Sequence, residues 1–281
     1  MDKVVESIDK LILPQKIISH LEYTYEEYLE LIKKLQTLSD KDLKLFLKTL
    51  KNRELVNNQE TELEQSFLIE LYMQTQRKTS IEVAMELLED KHITKEELKK
   101  LHRIVIKNSS DDKPENYGFR EDNNKWVGYY GTGNRQVVQY YPPDYKEIDP
   151  MVDYILKILN DDKSTRDINH PLIKPIIAHG FLAYLQAFGN GNTRLARVLQ
   201  HGKIWQMTND FENTNLELPV MYLSSNYKKQ RSQYREIMED LATNQNWESW
   251  LNFNLNMMDE NIYQTGNNFE LYTANHRKRN R

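Results

Sequence analysis

The sequence predicts a mostly α fold with one small β-hairpin. Only nine glycines and eight prolines occur in 281 residues, so few positions favour the turns that strand-rich proteins need. Apolar residues recur at helical spacing along most of the chain. Residues 118–141 are the exception, because aromatic and β-branched residues flank a glycine turn there.

The apolar spacing predicts the helices in chain order. Before the hairpin they cover residues 23–37, 40–51, 59–77 and 80–90, and a further helix starts after Thr94. Thr94 and Glu97 have the spacing of a capping box, and residues 108–116 form a loop. After the hairpin the helices cover residues 145–160, 171–186, 193–207, 225–243 and 247–259.

Two short strands make up the predicted hairpin. The first strand carries Trp126, Val127, Tyr129 and Tyr130. The turn at residues 131–134 joins it to a second strand over residues 137–141, and Pro142 and Pro143 end the hairpin.

Composition excludes several classes of protein. A net charge of -4 with 28% charged residues gives no overall bias toward nucleic acid, and no DNA-binding module is visible. The absence of cysteine excludes a disulfide framework and a thiolate metal site. The sequence has neither a spanning apolar run nor a signal-peptide core, so we expect a cytoplasmic protein without a membrane partner. The oligomeric state is left open.

We expect three regions along the chain. They are a helical N-terminal region at residues 1–90, a core at residues 91–260 and a C-terminal tail at residues 261–281. No flexible linker marks the boundary near residue 90, so we expect one compact helical body.

The most informative segment is residues 186–197, which read Gln-Ala-Phe-Gly-Asn-Gly-Asn-Thr-Arg-Leu-Ala-Arg. Glycines let main-chain N–H groups turn toward one point, and the following helix adds its unpaired N–H groups and positive dipole end. Arg194 and Arg197 are three residues apart, so both can reach the same side. The pattern predicts a helix–loop–helix that forms a polyphosphate pocket. The alternative is an ordinary glycine–asparagine turn followed by solvated arginines.

This segment resembles the signature of the Fic (fido) family, H-P-F-x-[D/E]-G-N-G-R-x-x-R. The matching residues are Phe188, Gly191, Asn192, Arg194 and Arg197. Gln186 stands at the position of the catalytic histidine, Asn190 replaces the acidic residue, and Ala187 and Thr193 replace proline and glycine.

Weaker similarities extend the resemblance over residues 60–258. They include Leu101-His102, Gly118-Phe119-Arg120, Trp126-Val127-Gly128, Pro142-Pro143 and Trp247-Glu248. The resemblance implies a Fic-like helical core with a flap hairpin at residues 118–141 and an N-terminal helical extension.

The resemblance also implies an activity, since the family mostly transfers AMP from ATP to a hydroxyl of a target protein. The implied nucleotide-binding residues are Gly189, Gly191, Asn192, Thr193, Arg194, Arg197 and Tyr234. Gln186 carries an amide, which is not a usable base near neutral pH, and its alternative role is to cap or pack a helix end. His179 lies about 10 Å along the helix from Gln186, so we interpret it as structural.

Metal binding is expected to be weak. The family's acidic residue binds Mg²⁺, whereas Asn190 offers a carbonyl oxygen without charge. ATP is therefore a possible ligand and Mg²⁺ a doubtful one.

Two further roles follow from the resemblance. Ser66 and Glu70 match the start of the inhibitory motif [S/T]-x-x-x-E-[G/N], which implies a contact of Glu70 with Arg197. The alternative is an ordinary helix surface. The flap residues Trp126, Val127, Tyr129 and Tyr130 would dock a segment of an unknown target protein as an added strand.

Three functions remain open at this point. The first is an AMP-transferase-like protein that binds a nucleotide or phosphate but has weak or no transfer activity. The second is an active protein adenylyltransferase with non-standard catalysis. The third is a non-enzymatic module that binds proteins through the flap.

Overall fold

Helices dominate the computed structural model, which describes residues 2–60, 80–89, 92–107, 109–161 and 168–279. Within these residues the helices are α1 (Lys3–Asp9), α2 (Gln15–Leu35), α3 (Asp40–Glu60), α4 (Ser80–Glu89), α5 (Lys95–Ile106), α6 (Ile148–Asn160), α7 (Ile173–Leu185), α8 (Asn192–Glu212), α9 (Ser224–Lys229), α10 (Arg231–Asn244) and α11 (Trp247–Arg279). The strands are β1 (Val127–Tyr130) and β2 (Gln136–Tyr140). The prediction of a mostly α fold with one small hairpin is confirmed.

The helix α7 lies at the centre of the fold. It carries apolar residues on every side, and all of its residues, including Lys174 and His179, are buried, as expected of a helix without a solvent face. Helices α6, α8, α10 and α11 pack around it. Gly180 lets α11 approach closely, because a Cβ at this position would lie 2.7 Å from the Nε1 of Trp250.

The N-terminal helices join the same core. Helix α2 packs along α11, and α4 packs along α8. Buried apolar residues from Val4 to Ile262 belong to one continuous hydrophobic cluster. None of the helices in the described ranges combines the length and apolar character that a membrane crossing requires.

The hairpin is antiparallel and lies against α10. Val127 pairs with Tyr140 and Tyr130 with Gln136, and the register is irregular between Val127 and Gly128. The Tyr140 hydroxyl donates to the Ala183 carbonyl at 3.0 Å, which fastens β2 to the end of α7.

Several helix boundaries differ from the sequence prediction. Helix α2 begins at Gln15 instead of residue 23, because Pro14 provides the extended residue before it and Ile17 and Leu21 continue its buried face. Helix α3 continues to Glu60 instead of ending at residue 51. Helix α8 extends beyond residue 207 to Glu212.

The C-terminal helices also depart from the prediction. The helix predicted over residues 225–243 is broken at Gln230, where φ is -100° and ψ is 30°. The helix predicted to end at residue 259 continues to Arg279, so the predicted tail is helical as far as that residue. Met257 and Ile262 are buried on both sides of the predicted boundary, which extends the packed face. Helix α1 was not predicted, and the Asp2 side chain caps it.

Candidate functional site

Residues 186–197 form the predicted helix–loop–helix. Helix α7 ends before Gln186, which has a left-handed backbone with a φ of 47°. Helix α8 begins after Gly191, whose φ is 78°. A Cβ at Gly191 would lie 2.4 Å from the Cγ2 of Ile106. Glycine is therefore favoured here for its backbone conformation and for its lack of a side chain.

The Asn192 side chain holds the loop together. Its Oδ1 accepts from the Phe188 N–H at 2.9 Å, and its Nδ2 donates to the Phe188 carbonyl at 2.9 Å and to the Gln186 Oε1 at 3.1 Å. The Phe188 ring stacks on His102 at 3.7 Å. His102 donates through Nε2 to the Asn190 carbonyl at 2.7 Å, and burial lowers its pKa to about 4, so the ring is neutral.

Both ends of the Gln186 amide contact the protein. The Nε2 donates to the Ala183 carbonyl at 2.8 Å, while Oε1 accepts from Asn192. The side chain thus caps the end of α7, which supports the alternative role given to it from the sequence. Gln186 nevertheless contributes to the wall of a cavity.

Arg120 joins the flap to this loop. Its main-chain N–H donates to the Ala187 carbonyl at 2.9 Å, and its Nε donates to the Gln186 carbonyl at 2.9 Å. Its guanidinium also donates to the carbonyls of Asp122 and Pro143, which stand before and after the hairpin. One side chain therefore ties both bases of the flap to the signature loop.

The flap, the signature loop and the helices α9 and α10 line a cavity of about 600 Å³. Predicted site residues in its wall are Gln186, Asn190, Gly191, Asn192, Thr193, Arg197, Tyr234, Trp126, Val127 and Tyr130. Its cationic side chains are Lys125, Arg197, Arg231 and Arg235. Of the described residues in this wall, none is acidic. This charge distribution favours an anionic ligand.

Of the predicted site residues that the structure describes, three do not line the cavity, namely Gly189, Arg194 and Tyr129. Gly189 packs against Asn116, because a Cβ there would lie 2.1 Å from the Asn116 Oδ1. Arg194 is 1% exposed and pairs with the carboxylate of Asp111. The loop before the flap thus supplies a carboxylate partner for the Arg194 guanidinium, and its contact with a bound anion stays a prediction.

The position of the family's metal-binding acid does not fit Mg²⁺. The Asn190 Oδ1 accepts from the Lys125 ammonium at 3.2 Å, and this ammonium also donates to the Gly189 carbonyl. Mg²⁺ prefers carboxylate and phosphate oxygens. The charged side chains among the described wall residues are all positive, so they repel a divalent cation. No group of three or more His, Asp or Glu side chains that could hold a metal occurs in the described part of the chain.

A buried acid that the sequence analysis missed lies behind Arg197. Glu54 is 2% exposed and accepts from the Ser224 N–H at 3.2 Å. Burial raises the pKa of Glu54 to about 7, although the positive charge of Arg197 lowers it. The sequence signal is the helical spacing of Phe46, Leu50 and Glu54, which places the carboxylate on an apolar face.

The predicted inhibitory residues Ser66 and Glu70 lie outside the described residues. The contact between Glu70 and Arg197 therefore stays a prediction.

Tyr234 connects the cavity to a buried polar network. The Tyr234 hydroxyl is 3.1 Å from the His179 Nε2, and His179 Nδ1 is 2.8 Å from the Gln200 Oε1. The second contact requires Nδ1 to donate, so Nε2 accepts from Tyr234. His179 is fully buried, and burial together with the charge of Arg197 holds its pKa well below the usual range. These contacts support the structural interpretation of His179.

Comparison with known proteins relates part of the chain to a known family. A family model described as the Fic/DOC family matches residues 92–201. No curated protein matches the sequence.

The chain is similar in fold to several solved Fic structures. A Fic family protein from Desulfovibrio desulfuricans G20 gives a TM-score of 0.61 at 15% identity, covering 90% of this chain and 75% of that chain. Fic-1 (aa134–508) from C. elegans gives a TM-score of 0.59 at 14% identity, covering 93% of this chain and 74% of that chain. A Fic domain containing signaling protein from Bacteroides thetaiotaomicron VPI-5482 gives a TM-score of 0.58 at 16% identity, covering 89% of this chain and 98% of that chain. At these identities the likeness shows the fold alone.

Proposed function

We propose that this chain, whose residues 92–201 form a domain of the Fic/DOC family, binds a nucleotide or another phosphate-bearing ligand and has weak or no AMP-transferase activity. Family membership supports an AMP-transferase-like protein at a general level. The observation that carries the finer proposal is the cationic cavity between the signature loop and the flap.

Charge and size both favour such a ligand. Lys125, Arg197, Arg231 and Arg235 converge on a cavity of about 600 Å³, which lies within the range of small-molecule sites. Guanidinium groups suit phosphate oxygens because their donors form a planar fork. Trp126 and Tyr130 add aromatic surface to the same wall, against which a base can pack.

The proposal of weak or no transfer rests on proton transfer. The target hydroxyl must lose its proton as it attacks the α-phosphate, and the described cavity wall contains no imidazole. Gln186 carries an amide, and His179 is enclosed behind Tyr234 with both ring nitrogens in contact with the protein. Neither group supplies a base at the cavity surface.

Calorimetric titration with ATP, ADP and inorganic pyrophosphate tests the binding. We expect the double variant Arg231→Gln/Arg235→Gln to weaken binding by about tenfold or more, because each arginine contributes charge-assisted hydrogen bonds to phosphate. Arg103→Gln is the matched control, since Arg103 stacks on Tyr117 outside this cavity. Failure of the unaltered chain to bind any of the three ligands would overturn the proposal.

A second candidate function is docking of a target protein on the flap. Tyr129 and Tyr130 are 41% and 65% exposed, and each strand of the two-stranded sheet has an outer edge. An extended peptide can add to such an edge through main-chain hydrogen bonds. Selection of peptides from a displayed library against the unaltered chain and against Tyr129→Ser/Tyr130→Ser tests this function. The selected peptides should bind the variant less tightly.

A further inference from the structure

The signature loop binds a positively charged side chain from the flap segment. The Lys125 ammonium donates to the carbonyl of Gly189 and, at 3.2 Å, to the Oδ1 of Asn190. Asn190 stands where the family signature has its acidic, metal-binding residue. A positive charge of the chain itself therefore lies where a divalent ion would otherwise be coordinated.

The segment that carries Lys125 is fixed to the loop. Phe119 forms an antiparallel bridge with Phe188, and their rings pack edge to face at 5.1 Å. The Asn124 N–H donates to the Asp122 Oδ1 at 2.8 Å, which shapes the turn immediately before Lys125. The ammonium is thus positioned by the fold, and a ligand does not have to recruit it from solvent.

A divalent ion and this ammonium are incompatible neighbours. Both are positive, and both would compete for the Oδ1 of Asn190. Mg²⁺ also demands near-octahedral oxygen coordination, which usually includes a carboxylate, and Asn190 supplies one uncharged oxygen. The ammonium, in contrast, is a point charge that suits a phosphate oxygen.

We infer that Lys125 replaces the divalent metal of this site, so that the cavity binds a nucleoside diphosphate or pyrophosphate without metal. The inference rests on the proposed function and names the form of ligand that the site accepts. A free diphosphate keeps its full negative charge for Lys125 and Arg197, whereas a magnesium complex has part of that charge neutralised.

The test is calorimetric titration of the full chain with ADP, first in EDTA and then in excess MgCl₂. We expect binding in EDTA that is at least as tight as binding in MgCl₂. In EDTA, Lys125→Gln should weaken binding by about 10- to 100-fold, the range for loss of a hydrogen bond between charged groups. Lys125→Arg keeps the charge and should retain most of the affinity. Lys146→Gln is the matched control, because Lys146 is exposed outside the cavity.

A double variant separates this inference from the proposed function. Lys125→Gln/Asn190→Asp removes the ammonium and restores a carboxylate, so its ADP binding should become dependent on Mg²⁺. Binding by the unaltered chain only in MgCl₂ would overturn the inference and leave the proposed function standing. Equal affinity of Lys125→Gln and the unaltered chain in EDTA would also overturn it. Absence of ADP and pyrophosphate binding in both buffers would overturn the inference, and absence of ATP binding as well would overturn the proposed function.

Discussion

Single substitutions in the signature change what its side chains contact. Gln186 caps α7 through the Ala183 carbonyl, and Asn190 binds the Lys125 ammonium. The departures from the family pattern are therefore integrated into local hydrogen bonding, and repairing one of them leaves the others in place.

Restoration of AMP transfer should therefore require more than one substitution. Loss of a general base costs about 10²–10⁴-fold in rate, so we expect no transfer above background by the unaltered chain. Gln186→His alone should recover little, and Gln186→His/Asn190→Asp more. In that double variant the new carboxylate would pair with Lys125, so addition of Lys125→Gln should give the largest recovery.

Transfer of labelled AMP from ATP, to the chain itself and to a generic protein, measures this order. Robust transfer by the unaltered chain, with a rate insensitive to Gln186→Ala, would contradict it. Such a result would place the proton acceptor elsewhere, including on the phosphate of the substrate.

Among the secondary-structure elements, the flap depends on contacts outside its own strands. Two strands alone are marginal in water, and Arg120 supplies the connection to α7 and the signature loop. The same connection sets the position of Lys125 relative to Asn190. The flap and the cavity are thus expected to respond together to a change at Arg120.

Arg120→Gln should loosen this connection. A shorter, uncharged side chain cannot reach the carbonyls of Gln186, Asp122 and Pro143 together. We expect faster hydrogen exchange across residues 127–140 and ADP affinity reduced by about tenfold, with the helical exchange pattern retained. Arg135→Gln, at the exposed turn, is the control. Unchanged exchange in the flap of the Arg120 variant would show that other contacts hold it.

Across the entire chain, buried titratable groups make stability depend on pH. Burial lowers the pKa of His201 to about 3 and that of His102 to about 4, and it holds the pKa of His179 well below the usual range. All three are 0% exposed. In the unfolded chain a histidine titrates near 6.5, so below this pH the unfolded state binds more protons. The stability that these neutral rings contribute is present above pH 6.5 and is lost as the pH falls.

The contribution of Glu54 to stability changes with pH in the opposite direction. Its folded-state pKa of about 7 exceeds the ordinary value of a glutamate, so its contribution is full below about pH 4.3 and is lost as the pH rises through 7. As the pH falls, the stability lost through the three histidines exceeds the stability gained through Glu54. Urea midpoints should therefore fall from about pH 6.5 to about pH 4.5, and the fall should be steeper in Glu54→Gln. A midpoint constant over this interval would contradict the assignment of neutral buried histidines.

The sequence alone predicted the features that depend on residues close together along the chain. Helical spacing of apolar residues indicated most of the helices, the aromatic runs around Gly131 indicated the hairpin, and the glycines at residues 189 and 191 indicated the loop. These features arise from backbone sterics and from the periodicity of a single element, which a local segment contains in full. The extent of α3 and α11 was less predictable, because packing against distant helices stabilises their additional turns.

The partners of the charged side chains could be found only in the folded chain. Lys125 with Asn190, Arg194 with Asp111, and Glu54 with Ser224 join residues that are 65, 83 and 170 positions apart. A charged side chain has many possible partners at similar energy, and spacing along the chain does not distinguish among them. For Arg194 and Glu54, burial removes water as a competitor and orients the charged group, so the fold selects one partner. For this reason the signature segment predicted an anion site, while the contacts of Lys125 and Arg194 emerged only from the packing of the flap and loops around it.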